Sequence, residues 1–320
     1  MKKIIITGVS GFVGGHLLQY LSKKDEIRIL GIDVQEPHNT GVYSKQQFQF
    51  INLDMLDESR LSAVIRDFRP DGVIHLASLS SVNFSWKKPI ECFKNNTTIF
   101  LNLLESVRHE NKSCRILSVG SSEEYGNIEL SDLPLTEQNS AAPTSPYGVA
   151  MASQEMLSRI YISGYGLDIV STRSFNHIGP GQDKGFFIPD IASQIVEIKY
   201  KKEQNSVNEK AIIRTGDLSV IRDFTDVRDV VKAYWLLINR GEKGEIYNVC
   251  SGNGYKLAEL IEKMNNLVGV RAAVKTEESR IRPAENRAII GSNCKIYSRT
   301  GWQPSISIEK SLMDVLNYWL

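Results

Sequence analysis

The sequence predicts an α/β fold, in which a doubly wound parallel sheet is joined to a smaller mixed α/β C-terminal domain. Three observations predict it. The chain has 320 residues, which is above the size at which a single hydrophobic core usually stops growing. Its first third alternates short apolar runs with amphipathic segments, as expected of buried parallel strands covered by helices on both faces. Beyond residue 176 this pattern becomes irregular, which indicates a second, smaller unit.

The elements follow in order along the chain. Apolar runs predict the strands of the parallel sheet at 3–7, 27–32, 48–52, 72–76 and 115–119. Helices between them are predicted by apolar side chains at helical spacing, such as Val13, Leu17 and Leu21. In the C-terminal half, 227–238 and 257–267 predict helices and 245–249 predicts a strand. The resulting domains are 1–177 plus 219–245 for the first, and 178–218 plus 246–320 for the second.

Composition excludes several classes of protein. The formal net charge is +1, so the chain has no long-range field that would attract nucleic acid. The N-terminal apolar run ends at Thr7, and no later stretch approaches the ~20 apolar residues of a membrane span. The four cysteines lie far apart in the sequence and do not form a metal-binding pattern. We therefore expect a cytoplasmic protein without a metal site, a nucleic-acid partner or a membrane contact.

A GxxGxxG turn lies between the first predicted strand and the first predicted helix. Gly8 permits a sharp turn, Gly11 lets the backbone approach a pyrophosphate, and Gly14 allows close packing of helix against strand. The free N–H groups at the helix N-terminus favour an anion. Phe12 and Val13 belong to the same turn. The pattern predicts a Rossmann-type dinucleotide site.

Acidic residues after the next two strands predict where the dinucleotide lies. Asp33 follows the second strand at about the distance expected of a carboxylate that binds a ribose 2′-hydroxyl. Its charge would repel a 2′-phosphate, so NAD(H) is favoured, although NADP(H) is possible. Asp54 and Met55 follow the third strand and are expected near the adenine, but Asp54 could instead cap the next helix. Leu76 and Ala77, at the end of the fourth strand, are expected to line the cofactor.

Two further segments complete a recognisable set of motifs. Residues 121–126 read SSEEYG, and Tyr147 opens a predicted helix. With the glycine-rich turn, these segments resemble the extended short-chain dehydrogenase/reductase family that acts on nucleotide-sugars, over nearly the whole chain. The resemblance implies that Tyr147 exchanges a proton with the sugar oxygen and that Ser121 hydrogen-bonds the same oxygen. It also implies that Glu123 stands where the family's dehydratases carry an acid/base glutamate.

The chain departs from the family's YxxxK pattern, because Met151 stands at the lysine position. An unperturbed phenol has a pKa of ~10, and a nearby ammonium group normally lowers it. Alcohol oxidation needs Tyr147 as a base, whereas ketone reduction needs it as an acid, and a neutral phenol is already protonated. The substitution therefore favours a ketone reductase. Lys184 is a candidate replacement cation, and a non-catalytic NAD-binding relative is an alternative.

Five C-terminal motifs resemble one branch of the family, the GDP-4-keto-6-deoxy-mannose reductases, which are closely related to the GDP-mannose 4,6-dehydratases. These motifs are RSFNHIGPGQ at 173–182, RDFTDVRD at 222–229, YNVCSG at 247–252, RPAE at 282–285 and GWQP at 301–304.

This resemblance implies a set of substrate contacts. Asn176 would contact the diphosphate or the sugar, and Arg222 and Arg282 would hold the diphosphate, since a guanidinium donates paired bonds to phosphate oxygens. Glu285 would accept from the ribose hydroxyls or the guanine. Ser81 is expected to border the sugar. Taken singly, each motif could be a turn or a packing motif, and surface ion pairing is an alternative for Arg222 with Asp223 and for Arg228 with Asp229.

The expected activity is reduction of the C4 ketone of GDP-4-keto-6-deoxy-D-mannose to GDP-D-rhamnose, with Tyr147 as the proton donor. The face of hydride attack is open, so the C4 epimer is a second possible product. A GDP-mannose 4,6-dehydratase, which Glu123 favours, and a UDP-sugar 4-epimerase are alternatives that both require an oxidation. Relatives of this kind usually form homodimers through a four-helix bundle, here residues 95–109 and 147–165, although packing on the chain's own sheet would also explain those apolar faces.

Overall fold

The computed structural model describes residues 1–37, 47–203, 211–281 and 286–320. The elements of the first half are β1 (Lys2–Thr7), α1 (Phe12–Leu21), β2 (Ile27–Asp33), β3 (Phe48–Asn52), α2 (Glu58–Phe68), β4 (Gly72–His75), α3 (Val82–Lys87), α4 (Pro89–Glu110), β5 (Arg115–Ser121), α5 (Pro146–Tyr165), β6 (Asp168–Ser174) and β7 (Asn176–Ile178). Those of the second half are α6 (Phe187–Glu203), β8 (Ile212–Thr215), β9 (Ile221–Asp226), α7 (Val227–Arg240), β10 (Ile246–Val249), β11 (Gly254–Lys256), α8 (Leu257–Val268), β12 (Ala273–Thr276), β13 (Ala288–Ile289), α9 (Cys294–Thr300) and α10 (Ile308–Trp319).

The main sheet has seven strands among the described residues, in the order β10–β6–β5–β4–β1–β2–β3. Every neighbouring pair in it is parallel. Its strands are apolar with little alternation because helices cover both faces. One face packs against α1 and α7, and the other against α2, α4 and α5. The predicted fold class, a doubly wound parallel sheet with a smaller mixed unit, is confirmed.

The smaller unit is built around β9, which pairs with β7, β11 and β13. The β11 pairing is antiparallel, whereas the β7 and β13 pairings are parallel. A separate apolar core joins α6, α8 and α10. Because β7 follows directly on β6 of the main sheet, this unit is anchored beside the carboxyl ends of the parallel strands. Open α/β sheets bind their ligands at that edge.

Two strands lie in a different sheet from the one the sequence suggested. β10, inside the segment 246–320 assigned to the second domain, is an edge strand of the main sheet. β9, inside the segment 219–245 assigned to the first domain, is the centre of the small sheet. Short strands carry no local signal of which sheet they join. In the parts of the chain that the structure describes, we find no helix of the length and apolarity needed to cross a bilayer.

Candidate active site

The glycine-rich turn closes tightly between β1 and α1. Gly8 has a φ of 70°, and a Cβ added to it would lie 2.7 Å from the Ala77 backbone nitrogen. A Cβ on Gly14 would lie 2.3 Å from the Gly8 carbonyl oxygen. Side chains are therefore excluded at both positions, and the backbone at the N-terminus of α1 stays open to an anion. This cradle fits the pyrophosphate of a dinucleotide.

Asp33 is held in a fixed orientation at the end of β2. Its Oδ2 accepts a hydrogen bond from the Ser10 backbone N–H at 3.0 Å, and its Oδ1 accepts from the Val34 N–H at 2.7 Å. Both carboxylate oxygens are thus positioned by main-chain donors next to the glycine-rich turn. The Ser10 contact was not predicted, because it links positions 23 residues apart through the fold.

Asp54 does not cap the helix that follows it. The N-cap of α2 is Asp57, whose side chain accepts from the Arg60 N–H. Asp54 instead accepts from the Leu56 N–H at 2.9 Å and lines the same cavity as the glycine-rich turn. The alternative in which Asp54 is the helix cap is therefore wrong.

A single cavity of about 630 Å³ brings together every predicted site residue that the structure describes, apart from the Met151 position. These residues are Gly8, Gly11, Phe12, Val13, Gly14, Asp33, Asp54, Met55, Leu76, Ala77, Ser81, Ser121, Glu123, Tyr147, Asn176 and Arg222. Arg282 and Glu285 lie outside the described residues. The cavity runs from the cradle to the carboxyl end of β5 and on to the smaller unit.

Two elements bring Ser121 and Tyr147 together. Ser121 ends β5, and its Oγ accepts from the Glu123 N–H at 3.2 Å. Tyr147 is the second residue of α5, which begins at Pro146 and is capped by Ser145. The Tyr147 hydroxyl is hydrogen-bonded with Ser121. A hydroxyl pair of this kind suits one sugar oxygen, which could receive a proton from Tyr147 while it accepts from Ser121.

Burial raises the pKa of Tyr147 above its ordinary value, and the hydrogen bond with Ser121 opposes this rise only in part. The negative charge of Glu123 raises the pKa further. One helical turn away, Met151 is 1% exposed and packs with Tyr147 in an apolar cluster that includes Cys92. Tyr147 is therefore a neutral phenol at pH 7, suited to giving up a proton rather than to accepting one.

Lys184, the candidate replacement cation, and the nearby His177 are both engaged elsewhere, and neither is among the groups that shift the Tyr147 pKa. Lys184 Nζ lies 4.5 Å from the centre of the Trp319 ring. His177 Nε2 lies 3.0 Å from the Tyr234 hydroxyl, and burial lowers the pKa of His177 to about 4. The histidine is therefore neutral at pH 7.

The far side of the cavity comes from the smaller unit. Asn176 lies on β7, and its Nδ2 donates to the Asp223 carbonyl at 3.1 Å. Arg222 lies on β9 and is 7% exposed. Its Nη1 donates to the Ile221 and Asn286 carbonyls at 2.8 and 2.9 Å. These contacts fix the guanidinium at the cavity wall, where it can offer positive charge to a phosphate.

Sequence reasoning missed the aromatic part of this wall. Phe186, Phe187 and Phe224 line the cavity, as does Tyr234 from α7. The adjacent Phe186 and Phe187 follow Gly185, and Phe187 begins α6. Their pairing was a usable signal, because aromatic faces suit stacking on a base or a sugar. Tyr234 could not be found this way, since it looks like any apolar helix position.

The chain is similar to known proteins over nearly its whole length. The family model described as GDP-mannose 4,6 dehydratase matches residues 5–315. A GDP-6-deoxy-D-mannose reductase of Pseudomonas aeruginosa is 34% identical over 99% of this chain and 97% of its own. A dTDP-glucose 4,6-dehydratase of Haemophilus influenzae is 27% identical over 100% of this chain and 98% of its own.

The chain belongs to the extended short-chain dehydrogenase/reductase family. Among solved members, RMD from Pseudomonas aeruginosa complexed with NADPH superposes with a TM-score of 0.85 at 32% identity, covering 100% of this chain and 99% of that one. The UDP-glucose 4-epimerase of Thermotoga maritima with UDP-glucose gives 0.85 at 26% identity, covering 99% and 98%. In this nucleotide-sugar member of the extended short-chain family, Met151 stands where the resemblance implies a lysine.

Proposed function

We propose that the chain reduces the C4 ketone of GDP-4-keto-6-deoxy-D-mannose to GDP-D-rhamnose. The observation that carries the proposal is the state of Tyr147, a buried neutral phenol hydrogen-bonded with Ser121 and lacking the usual lysine. The similarity to the Pseudomonas reductase over the whole chain supports the choice of substrate. A bound nicotinamide would supply the hydride. Tyr147 would protonate the oxygen at C4, and Ser121 would donate to the same oxygen and orient it.

The cradle favours NADH over NADPH. The Asp33 carboxylate is anchored by main-chain N–H groups beside the glycine-rich turn. It would accept from the ribose hydroxyls, and its charge would repel a 2′-phosphate. The solved Pseudomonas relative is complexed with NADPH, so this preference would distinguish the two proteins.

The remaining roles follow from position in the cavity. Asp54 and Met55 would contact the adenine, with Leu76 and Ala77 along the dinucleotide. Ser81, Asn176 and Arg222 would hold the sugar and diphosphate. We assign dinucleotide binding to residues 1–177 and 219–245, and nucleotide-sugar binding to residues 178–218 and 246–320. Within this division, β10 belongs to the main sheet and β9 to the small sheet.

The decisive experiment incubates the purified chain with NADH and GDP-4-keto-6-deoxymannose. We expect NADH to be consumed and a 6-deoxy GDP-sugar to form, with the configuration at C4 read by NMR. A Tyr147→Phe variant is the matched control, since it keeps the ring and removes the proton donor. If NADH is not consumed although the chain binds it, the reductase proposal fails and a non-catalytic NAD-binding role takes its place.

A GDP-mannose 4,6-dehydratase is the rival function, and two observations favour it. The matching family model carries that description, and Glu123 lines the cavity beside Ser121. The first step of dehydration oxidises C4, however, which requires Tyr147 to accept a proton. Burial and the charge of Glu123 oppose this by raising the Tyr147 pKa. Turnover of GDP-mannose itself by the purified chain would decide for the dehydratase.

We also propose a homodimer formed through α4 and α5. Both helices expose large apolar side chains at helical spacing, although most of the apolar surface of this fold is buried. On α4 these are Ile90, Phe93 and Leu101, and on α5 they are Val149, Met156 and Ile160. Two such pairs of helices from two copies would bury the stripes as a four-helix bundle. Light scattering coupled to size-exclusion chromatography measures the mass that decides this.

A further inference from the structure

A buried cluster of three ionisable side chains adjoins the proposed catalytic pair and has no part in the reaction as described so far. Glu124, Glu155 and Arg173 are 1%, 7% and 2% exposed. Glu124 lies in the short turn after β5, Glu155 on α5, and Arg173 on β6. The cluster therefore connects the strand that ends in Ser121 with the helix that carries Tyr147.

Arg173 forms its hydrogen bonds to a carboxylate with Glu155 and not with Glu124. Arg173 Nε donates to Glu155 Oε2 at 2.9 Å, and Nη2 donates to Glu155 Oε1 at 3.1 Å. Arg173 Nη1 donates to the Asn139 carbonyl at 2.9 Å. Arg159 also donates to Glu155 Oε1, at 2.7 Å. Glu155 is thus bonded to two cations, whereas Glu124 Oε2 lies 3.9 Å from Arg173 Nε.

Glu124 faces an incomplete set of partners for a carboxylate. Its Oε1 accepts from the Ser121 backbone N–H at 2.7 Å. Its Oε2 is buried and has no hydrogen-bond donor among the described residues, which is costly for an ionised oxygen. A proton on Oε2 would remove that cost, because an Oε2–H group could donate to Glu155, whose side chain lies within hydrogen-bonding reach of Glu124. Burial, the charge of Glu155 and this contact together raise the pKa of Glu124.

We propose that Glu124 is a positioning residue that acts as a neutral carboxylic acid, whose carbonyl oxygen holds the Ser121 main chain and whose hydroxyl donates to Glu155. Gly120 is part of the same device, because a Cβ there would lie 2.3 Å from Glu124 Oε1. The neutral form has a chemical advantage. A negative charge on Glu124 would raise the Tyr147 pKa and so make the phenol a weaker acid towards the ketone.

The protonation state is tested without substrate. This inference rests on the proposed ketone reduction. Infrared spectroscopy of the ligand-free protein needs no substrate, so the protonation state of Glu124 and the proposed function can fail separately. We expect the spectrum at pH 7 to contain a protonated-carboxyl C=O band that is absent from Glu124→Gln. Glu123→Gln, which changes the adjacent acid, is the control and keeps the band. If Glu124→Gln instead loses only ionised-carboxylate bands relative to the wild type, Glu124 is charged and the proposed neutral state is wrong.

The positioning role is tested by the kinetics of ketone reduction. Glu124→Gln keeps one acceptor and one donor, so kcat stays close to that of the wild type. Glu124→Met has a similar length but removes the acceptor for Ser121, and we expect kcat to fall by about 100-fold while KM changes little. Glu124→Asp, which keeps the acid but shortens its reach, should lose kcat in the same way. The positioning role would be overturned if Glu124→Met and Glu124→Asp lost thermal stability but kept the wild-type kcat. It would also be overturned if kcat fell equally in Glu124→Gln and Glu124→Met.

Discussion

Replacing Met151 by lysine restores the cation that the family pattern places one helical turn after Tyr147. A lysine Nζ about 4 Å from the phenolic oxygen would attract its charged form by about 4 kcal/mol at an effective dielectric constant of about 20. At about 1.4 kcal/mol per pKa unit, this lowers the Tyr147 pKa by about three units. Met151 is 1% exposed in an apolar cluster, so burial of the new ammonium group offsets part of the gain.

The assay compares the two directions of one reaction. GDP-D-rhamnose with NAD⁺ measures alcohol oxidation, and GDP-4-keto-6-deoxymannose with NADH measures ketone reduction. We expect Met151→Lys to speed oxidation by about tenfold for each unit by which the Tyr147 pKa falls, with much less change in reduction. Met151→Leu, which is apolar and of similar volume, should leave both rates near those of the wild type. Equal gains in both directions, or a gain in the leucine variant, would refute the proton-direction argument.

Three further predictions follow from the geometry. Asp33→Ala should shift the ratio of kcat/KM for NADPH over NADH upward by about tenfold, or about 1.4 kcal/mol. Burial lowers the pKa of His75 to about 3, so below pH ~6.5 only the unfolded chain takes up a proton at this residue. This one group should lower the stability by at most about 1.4 kcal/mol per pH unit towards pH 3, which urea unfolding would show as a shallower fall in His75→Asn than in the wild type. Met156→Glu should give a monomer in light scattering. An unchanged ratio, an equal slope or a persistent dimer would contradict the respective prediction.

The fold of the first half was predictable because its signals are local. Each apolar run of the parallel sheet is short and bounded, and α1, α2 and α4 keep apolar residues at helical spacing. The second half was less predictable for the opposite reason. β9 and β10 are both short strands, and their sheets are decided by distant partners, namely β7, β11 and β13 in one case and β6 in the other.

The same distinction holds for the site. The glycine-rich turn, the SSEEYG segment and Tyr147 are local motifs, and the fold brings them to one cavity. The cluster of Glu124, Glu155 and Arg173 had no local signal, since its members are separated by 31 and 18 residues and become partners only when α5 packs on β5 and β6. In the sequence, Glu124 looks like one more acid in an acidic turn, and Arg173 like an ordinary strand-end cation.

The direction of proton transfer also constrains where the substrate comes from. Under the proposed function, a phenol that donates but does not readily accept would not start from the C4 alcohol, so the ketone would be supplied by a separate oxidation and dehydration of the GDP-sugar. The purified chain with GDP-mannose and NAD⁺ should therefore form no product. Adding a GDP-mannose 4,6-dehydratase together with NADH should yield the 6-deoxy GDP-sugar, and the yield should disappear with Tyr147→Phe. Product from GDP-mannose by the chain alone would show that Tyr147 acts as a base despite Met151.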